Sequence, residues 1–115
     1  MFTVGRRYER QGADTPKTPN AVPLVHFASV DDLHAHLPWS CPLVGVELTP
    51  ESKPLPDFWH PPRACYLLGA EDHGLTNDAL DRCHYLVQIP GARWCLNVAT
   101  AGSIVVYGRM MREVA

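Results

Sequence analysis

A short apolar run, Ala64-Cys65-Tyr66-Leu67-Leu68, stops at Gly69-Ala70-Glu71-Asp72-His73-Gly74-Leu75. An uninterrupted run of that length suits a parallel strand covered on both faces. A second run, Tyr85-Leu86-Val87-Gln88, leads into Ile89-Pro90-Gly91-Ala92-Arg93-Trp94-Cys95-Leu96-Asn97-Val98-Ala99. Each segment puts Gly or Pro where the strand stops and polar groups just beyond it. In open α/β sheets ligands bind outside the carboxyl ends of the strands. Two such loops in a chain of 115 residues predict one shared pocket.

The rest of the chain fits an α/β fold with a mostly parallel sheet and flanking helices. Phe2-Thr3-Val4 reads as a strand end halted by Gly5. From Arg6 to Pro23 the chain is polar and broken by Pro16, Pro19 and Pro23, which predicts a long loop. Leu24-Val25-His26-Phe27 is a strand, and Ser29 caps a short helix over 30–37 with Asp32 three residues on. Leu43–Leu48 is a buried strand, and residues 49–63 are Pro-rich and irregular. Thr76 is an N-cap for a helix running to about Arg82. From Leu96 to about Arg112 the spacing suits a long helix. Ala99, Ala101 and Gly102 allow close packing at its start. Its later apolar positions, Ile104, Val105, Tyr107, Met110 and Met111, exceed one buried stripe, which predicts a partner surface and a homodimer.

Charge and cysteine content exclude several classes. The formal net charge of -2 and the pI near 6.3 give no global basic signal. Arg6, Arg7 and Arg10, joined by Lys17, nevertheless form a local basic segment that can bind phosphate. Cys41, Cys65, Cys83 and Cys95 form no C-x-x-C pair, so neither metal-site spacing nor a small disulfide framework is present. Reduced thiols fit a cytoplasmic protein, with Cys65 and Cys83 expected to be buried. No stretch approaches a membrane span, and no signal-peptide core opens the chain. His34 and His36, two apart, do not share a helix face as metal ligands would. His73 beside Asp72 invites a catalytic-base role, but a loop His is more often solvated.

The two loops, in this order, resemble motifs two and three of the SpoU-type (TrmH-like) RNA 2′-O-ribose methyltransferases of the SPOUT class. The second motif, apolar-Gly-x-Glu-x-x-Gly-Leu, is matched by Leu68-Gly69-Ala70-Glu71-Asp72-His73-Gly74-Leu75. The third, Ile-Pro, a short loop, then Ser-Leu-Asn-Val, is matched by Ile89-Pro90 and Cys95-Leu96-Asn97-Val98, with Cys95 in place of Ser. The resemblance implies one methyltransferase domain over residues 1–115 with a C-terminal trefoil knot. It also implies S-adenosylmethionine as donor, tRNA or rRNA as substrate, no metal, and a homodimer. Carried over residue by residue, donor contacts fall near Glu47 and Leu48, then at Leu68, Gly69, Glu71, Ile89, Cys95, Leu96 and Asn97. Gly69 leaves room for the backbone to approach the ligand, and Ile89 and Leu96 supply apolar walls. Glu71 orders the motif-two loop through backbone N–H groups, and Asn97 holds its own loop closed or meets the target nucleotide; both are supporting candidates for catalysis.

The family's first motif, with an Asn and the Arg assigned to the ribose 2′-hydroxyl, has no counterpart here. The expectation is therefore an N-terminally shortened domain lacking the first strand and helix, and a weak catalyst. The alternative is a non-catalytic relative that binds S-adenosylmethionine or RNA as a dimeric module. An unrelated nucleotide-binding α/β protein is a third reading, although neither G-x-G-x-x-G nor a P-loop is present.

Overall fold

The computed structural model describes residues 1–5, 23–70, 73–91 and 96–114. The basic segment with Arg6, Arg7, Arg10 and Lys17 lies outside them, as do Glu71, Asp72 and Cys95. The chain divides into two compact units, Met1–His36 and Leu37–Ala115.

In the first unit, β1 (Phe2–Val4) pairs in parallel with β2 (Val25–Phe27), Thr3 opposite His26. The rings of Phe2 and Phe27 meet edge-on at 6.0 Å. Gly5, at φ +82°, turns the chain away while its N–H donates to the Phe27 carbonyl at 2.9 Å. Helix α1 (Val30–Ala35) follows β2. Ser29 Oγ accepts from the Asp32 N–H at 3.1 Å, and Asp32 Oδ2 accepts from the Ala28 N–H at 3.0 Å. Two N-terminal donors are thus satisfied reciprocally, close to the expected capping box. Leu33 is the residue this helix buries.

The described residues of the second unit hold four parallel strands: β3 (Leu43–Val46), β4 (Lys53–Pro54), β5 (Cys65–Leu68) and β6 (Tyr85–Gln88). Their order is β4-β6-β3-β5. β3 is central and pairs with β5 through Gly45 opposite Leu67, and with β6 through Gly45 opposite Leu86. Alternation along the strands gives two faces. On one, Val44 and Val87 are fully buried against Phe58, with Val46, Ala64 and Tyr66 packed around them. Helix α3 (Val98–Val114) closes this face, burying Val105. A Cβ on Gly108 would come within 3.1 Å of Leu55, and one on Gly102 within 3.7 Å of Leu68. The tighter approach is thus at Gly108 in the second half of α3, while Gly102 is at ordinary contact distance and Ala99 is exposed.

On the other face lies Gly45, where a Cβ would come within 2.7 Å of Cys83 Sγ and 2.9 Å of Leu86 Cδ2. Helix α2 (Asn77–Arg82) covers this side and buries Ala79. Its cap is Thr76, whose Oγ1 accepts from the Ala79 N–H at 3.2 Å. Both faces of β3 and β5 are covered, as their continuous apolar character requires. Cys65 and Cys83 are half-buried rather than fully buried, and burial pushes both thiols up to about 11.

The segment 49–63, read from sequence as irregular, contains β4 and a single 3-10 turn, Leu55–Asp57. Two residues ending in Pro54 carry no periodic signal, and a proline is tolerated there because β4 is an edge strand. Other boundaries shift by a few residues: β3 stops at Val46 rather than Leu48, and α1 at Ala35 rather than Leu37.

Candidate functional site

The carboxyl ends of β3, β5 and β6 lie side by side, and their loops are tied together around Glu47. The Glu47 N–H donates to the Val87 carbonyl of β6 at 3.0 Å. Its carbonyl accepts from Ser52 Oγ at 2.7 Å. Its carboxylate accepts twice, from the Leu48 N–H at Oε1 and from the Leu75 N–H at Oε2, both at 2.9 Å. One residue therefore links the loop after β3, the loop after β5 and the end of β6.

The loop after β5 turns back on itself. The Gly74 N–H donates to the Ala70 carbonyl at 2.9 Å, and these two residues form an isolated antiparallel bridge. Gly74 has φ +66°, in the left-handed region glycine favours. A Cβ there would collide with Glu47 Oε2. Gly69 is constrained even more tightly. A Cβ on it would collide with the Gly74 carbonyl carbon and come within 2.5 Å of the Leu75 N and 2.6 Å of the Gly74 Cα. The clearance at Gly69 thus serves the loop's own backbone, a local reason beside the ligand-clearance reason read from sequence.

The loop after β3 is a turn, Thr49-Pro50-Glu51-Ser52, with proline in its second position. The Ser52 N–H donates to the Thr49 carbonyl at 3.1 Å, and the two hydroxyls lie 2.7 Å apart. Ser52 is the one buried polar residue among those described. Gln88 Nε2 donates to its carbonyl at 2.8 Å, adding a second link from β6. No motif marks Ser52 or Gln88, but the Thr-Pro-Glu-Ser turn signature was the available signal.

Asn97 caps α3. Its Oδ1 accepts from the N–H groups of Ala99 at 2.9 Å and Thr100 at 3.3 Å, and its carbonyl accepts from Ala101 at 2.8 Å. Asx capping of this kind satisfies N–H donors that a helix cannot satisfy itself. Leu48 is 63% exposed, while Leu68, Ile89 and Leu96 are half-buried. The structure thus gathers Glu47, Leu48, Leu68, Gly69 and Ile89 at adjacent strand ends and sets Leu96 and Asn97 at the start of α3. Apolar side chains with surface to spare, framed by backbone loops, can hold a largely neutral ring system. Among the described residues no group of three or more His, Cys, Asp or Glu could hold a metal ion.

A second polar cluster joins the end of α3 to the segment before β5. Arg109 Nη1 donates to the Pro61 carbonyl at 2.8 Å and to Tyr66 Oη at 3.1 Å, and Nη2 donates to the Pro62 carbonyl at 2.7 Å. Tyr66 Oη lies 2.6 Å from His60 Nδ1. Burial, with the nearby Arg109 and Arg112, holds the His60 pKa below its ordinary value. Arg112 donates to the Pro56 carbonyl and lies 5.7 Å from the Trp59 ring. This cluster sits at the amino ends of the strands, away from the paired loops.

A family model described as the SpoU rRNA Methylase family matches residues 10–107. Among solved structures, the SpoU methyltransferase AviRb from Streptomyces viridochromogenes, crystallised in complex with AdoMet, is 24% identical with a TM-score of 0.73. The match covers 98% of this chain and 49% of that one, so the chain spans about half the length of AviRb. Comparison with the curated proteins found no significant match.

Proposed function

The chain belongs to the SpoU rRNA methylase family, and we propose that it serves S-adenosylmethionine-dependent 2′-O-methylation of ribose in tRNA or rRNA. The observation that carries this reading is the convergence on Glu47 of the strand ends that bear both family motifs. AviRb, of the same fold, was crystallised with AdoMet, which supports the donor assignment. Leu48 and Ile89 would flank the adenosine, Leu68 and Gly69 would bring backbone beside it, and Leu96 would close the slot near the start of α3. Glu71, Cys95 and Asn97 complete the proposed contacts, and Glu47 belongs to the donor site at the end of β3. The bound donor supplies an electrophilic methyl group on a sulfonium. The chain's own task is positioning: holding donor and ribose hydroxyl in line is worth a large part of such a barrier. Arg6, Arg7 and Arg10 are proposed RNA contacts.

The same reading includes a single domain, a cytoplasmic setting, a knotted C-terminal half and a homodimer. The strand order supports the knot, since β6 lies between the earlier strands β4 and β3. On α3, Val106, Tyr107 and Met110 are more than half exposed on a groove lined also by Ala99, Gly102 and Ser103, which supports a second copy packing there. No helix of the described residues is long and apolar enough to cross a membrane.

The test is transfer of labelled methyl from S-adenosylmethionine to bulk tRNA and rRNA, followed by alkaline digestion. A 2′-O-methylribose removes the nucleophile that cleaves the adjacent phosphodiester, so labelled dinucleotides survive. Label released as mononucleotides would place the methyl elsewhere. Donor binding without transfer would favour the non-catalytic relative.

A further inference from the structure

We propose that Glu47 is a positioning residue, whose carboxylate sets the donor slot by clamping the loop after β5 rather than by touching the donor. The inference rests on the donor-binding reading above. Both carboxylate oxygens are already engaged by backbone N–H groups, Oε1 by Leu48 and Oε2 by Leu75. The residue is held in turn by its own backbone, through Val87 and Ser52. Gly74 packs so closely on Oε2 that no side chain fits between them. The carboxylate is therefore built into the loop.

A negative charge beside a sulfonium or an ammonium would be an obvious electrostatic partner, so the two roles must be separated. A clamp acts on the shape of the slot and affects every ligand that fills it. A direct ion pair affects only ligands that carry the matching charge. S-adenosylhomocysteine has an amino-acid tail with an ammonium group, while 5′-methylthioadenosine has the same nucleoside and no tail.

The experiment uses the full chain in three forms, wild type, Glu47→Ala and Glu47→Gln. Calorimetric Kd values are taken for both ligands, and hydrogen exchange of the Leu75 and Leu48 amides is followed by NMR without ligand. Glu47→Ala should speed exchange at both amides and weaken both ligands by the same factor, about tenfold for loss of a charged acceptor. Glu47→Gln keeps one acceptor oxygen and should fall between, with one amide still protected. Weakened S-adenosylhomocysteine with unchanged 5′-methylthioadenosine would show direct contact and overturn the inference. Unchanged affinities for both would overturn it too. Wild-type protein that binds neither ligand removes the donor reading and the inference with it, even if the two amides respond as expected.

Discussion

Gly69→Ala should destabilise the ligand-free protein, and the size of the effect follows from the loop after β5. The added Cβ would meet backbone atoms, coming within 2.5 Å of the Leu75 N and 2.6 Å of the Gly74 Cα. Backbone cannot rotate aside as a side-chain tip can, so the loop must open. Opening it breaks the Gly74 N–H to Ala70 carbonyl bond and the Leu75 N–H to Glu47 carboxylate bond. A neutral hydrogen bond is worth about 1 kcal/mol net and a charged one about 1.5–3, so the loss should be about 2.5–4 kcal/mol. Urea denaturation of ligand-free wild type, Gly69→Ala and Gly69→Val measures it. Because the first added carbon makes the clash, Ala should cost most of what Val costs. If Gly69 were small only to admit a ligand, Gly69→Ala would leave ligand-free stability within about 0.5 kcal/mol of wild type, as an ordinary surface change does. That result would refute the reasoning.

Asn97→Ala removes the α3 cap and should cost about 1 kcal/mol in thermal or urea unfolding, with Asn97→Ser recovering most of it; equal stability of all three would show that the cap is idle. His60, whose pKa is held below 6.5 by burial and the two arginines, is resistant to protonation when folded but not when unfolded. Its contribution is therefore full above pH 6.5 and lost as pH falls below it, so wild type should lose more stability between pH 7 and pH 5 than His60→Asn does. The opposite sign holds for Cys65 and Cys83, raised from 9.0 to about 11: stability is full below pH 9 and declines as pH rises toward 11, and alkylation at neutral pH should be slow, as mass spectrometry would report. Arg109→Lys should cost about 2–4 kcal/mol, because a single ammonium cannot reproduce the fork on the Pro61 and Pro62 carbonyls and Tyr66; stability equal to wild type would assign those contacts to the surface.

Strands and helix caps were legible in the sequence because each has a local cause. The apolar runs at 65–68 and 85–88, the cap at Thr76 with its helix, and the Ser29–Asp32 pair all stand in the structure where short-range chemistry puts them. β4 was not legible, since it exists only because β6 offers an edge to pair with. The strand ends at the candidate site were legible, since Gly69 follows β5 and Ile89 follows β6 where the apolar runs stop. Its internal wiring was not. Ser52, Gln88 and the Glu47 carboxylate act across sequence separations of 5, 36 and 28 residues, and no spacing rule marks such partners. The His60–Tyr66–Arg109 cluster escaped notice for the same reason, because its members come from three elements that only folding brings together.

Taken together, these contacts show how a small unit can keep its strand-end loops in one shape. Hydrogen bonds made by Glu47, Ser52 and Gln88 tie the strand-end loops to one another. Such networks hold their geometry only if their members are satisfied, and here Ser52, the buried polar residue, uses its hydroxyl, N–H and carbonyl. Helix α3 carries the same logic across the sheet. Its first turn is capped internally by Asn97, and its far end is tied by Arg109 and Arg112 to the carbonyls of Pro61, Pro62 and Pro56. A helix tied at its far end is held in place along the sheet from there, so the position of Leu96 and Asn97 relative to β5 depends on contacts remote from them. Substitutions there should reach the candidate site through helix placement, without touching any residue that lines it.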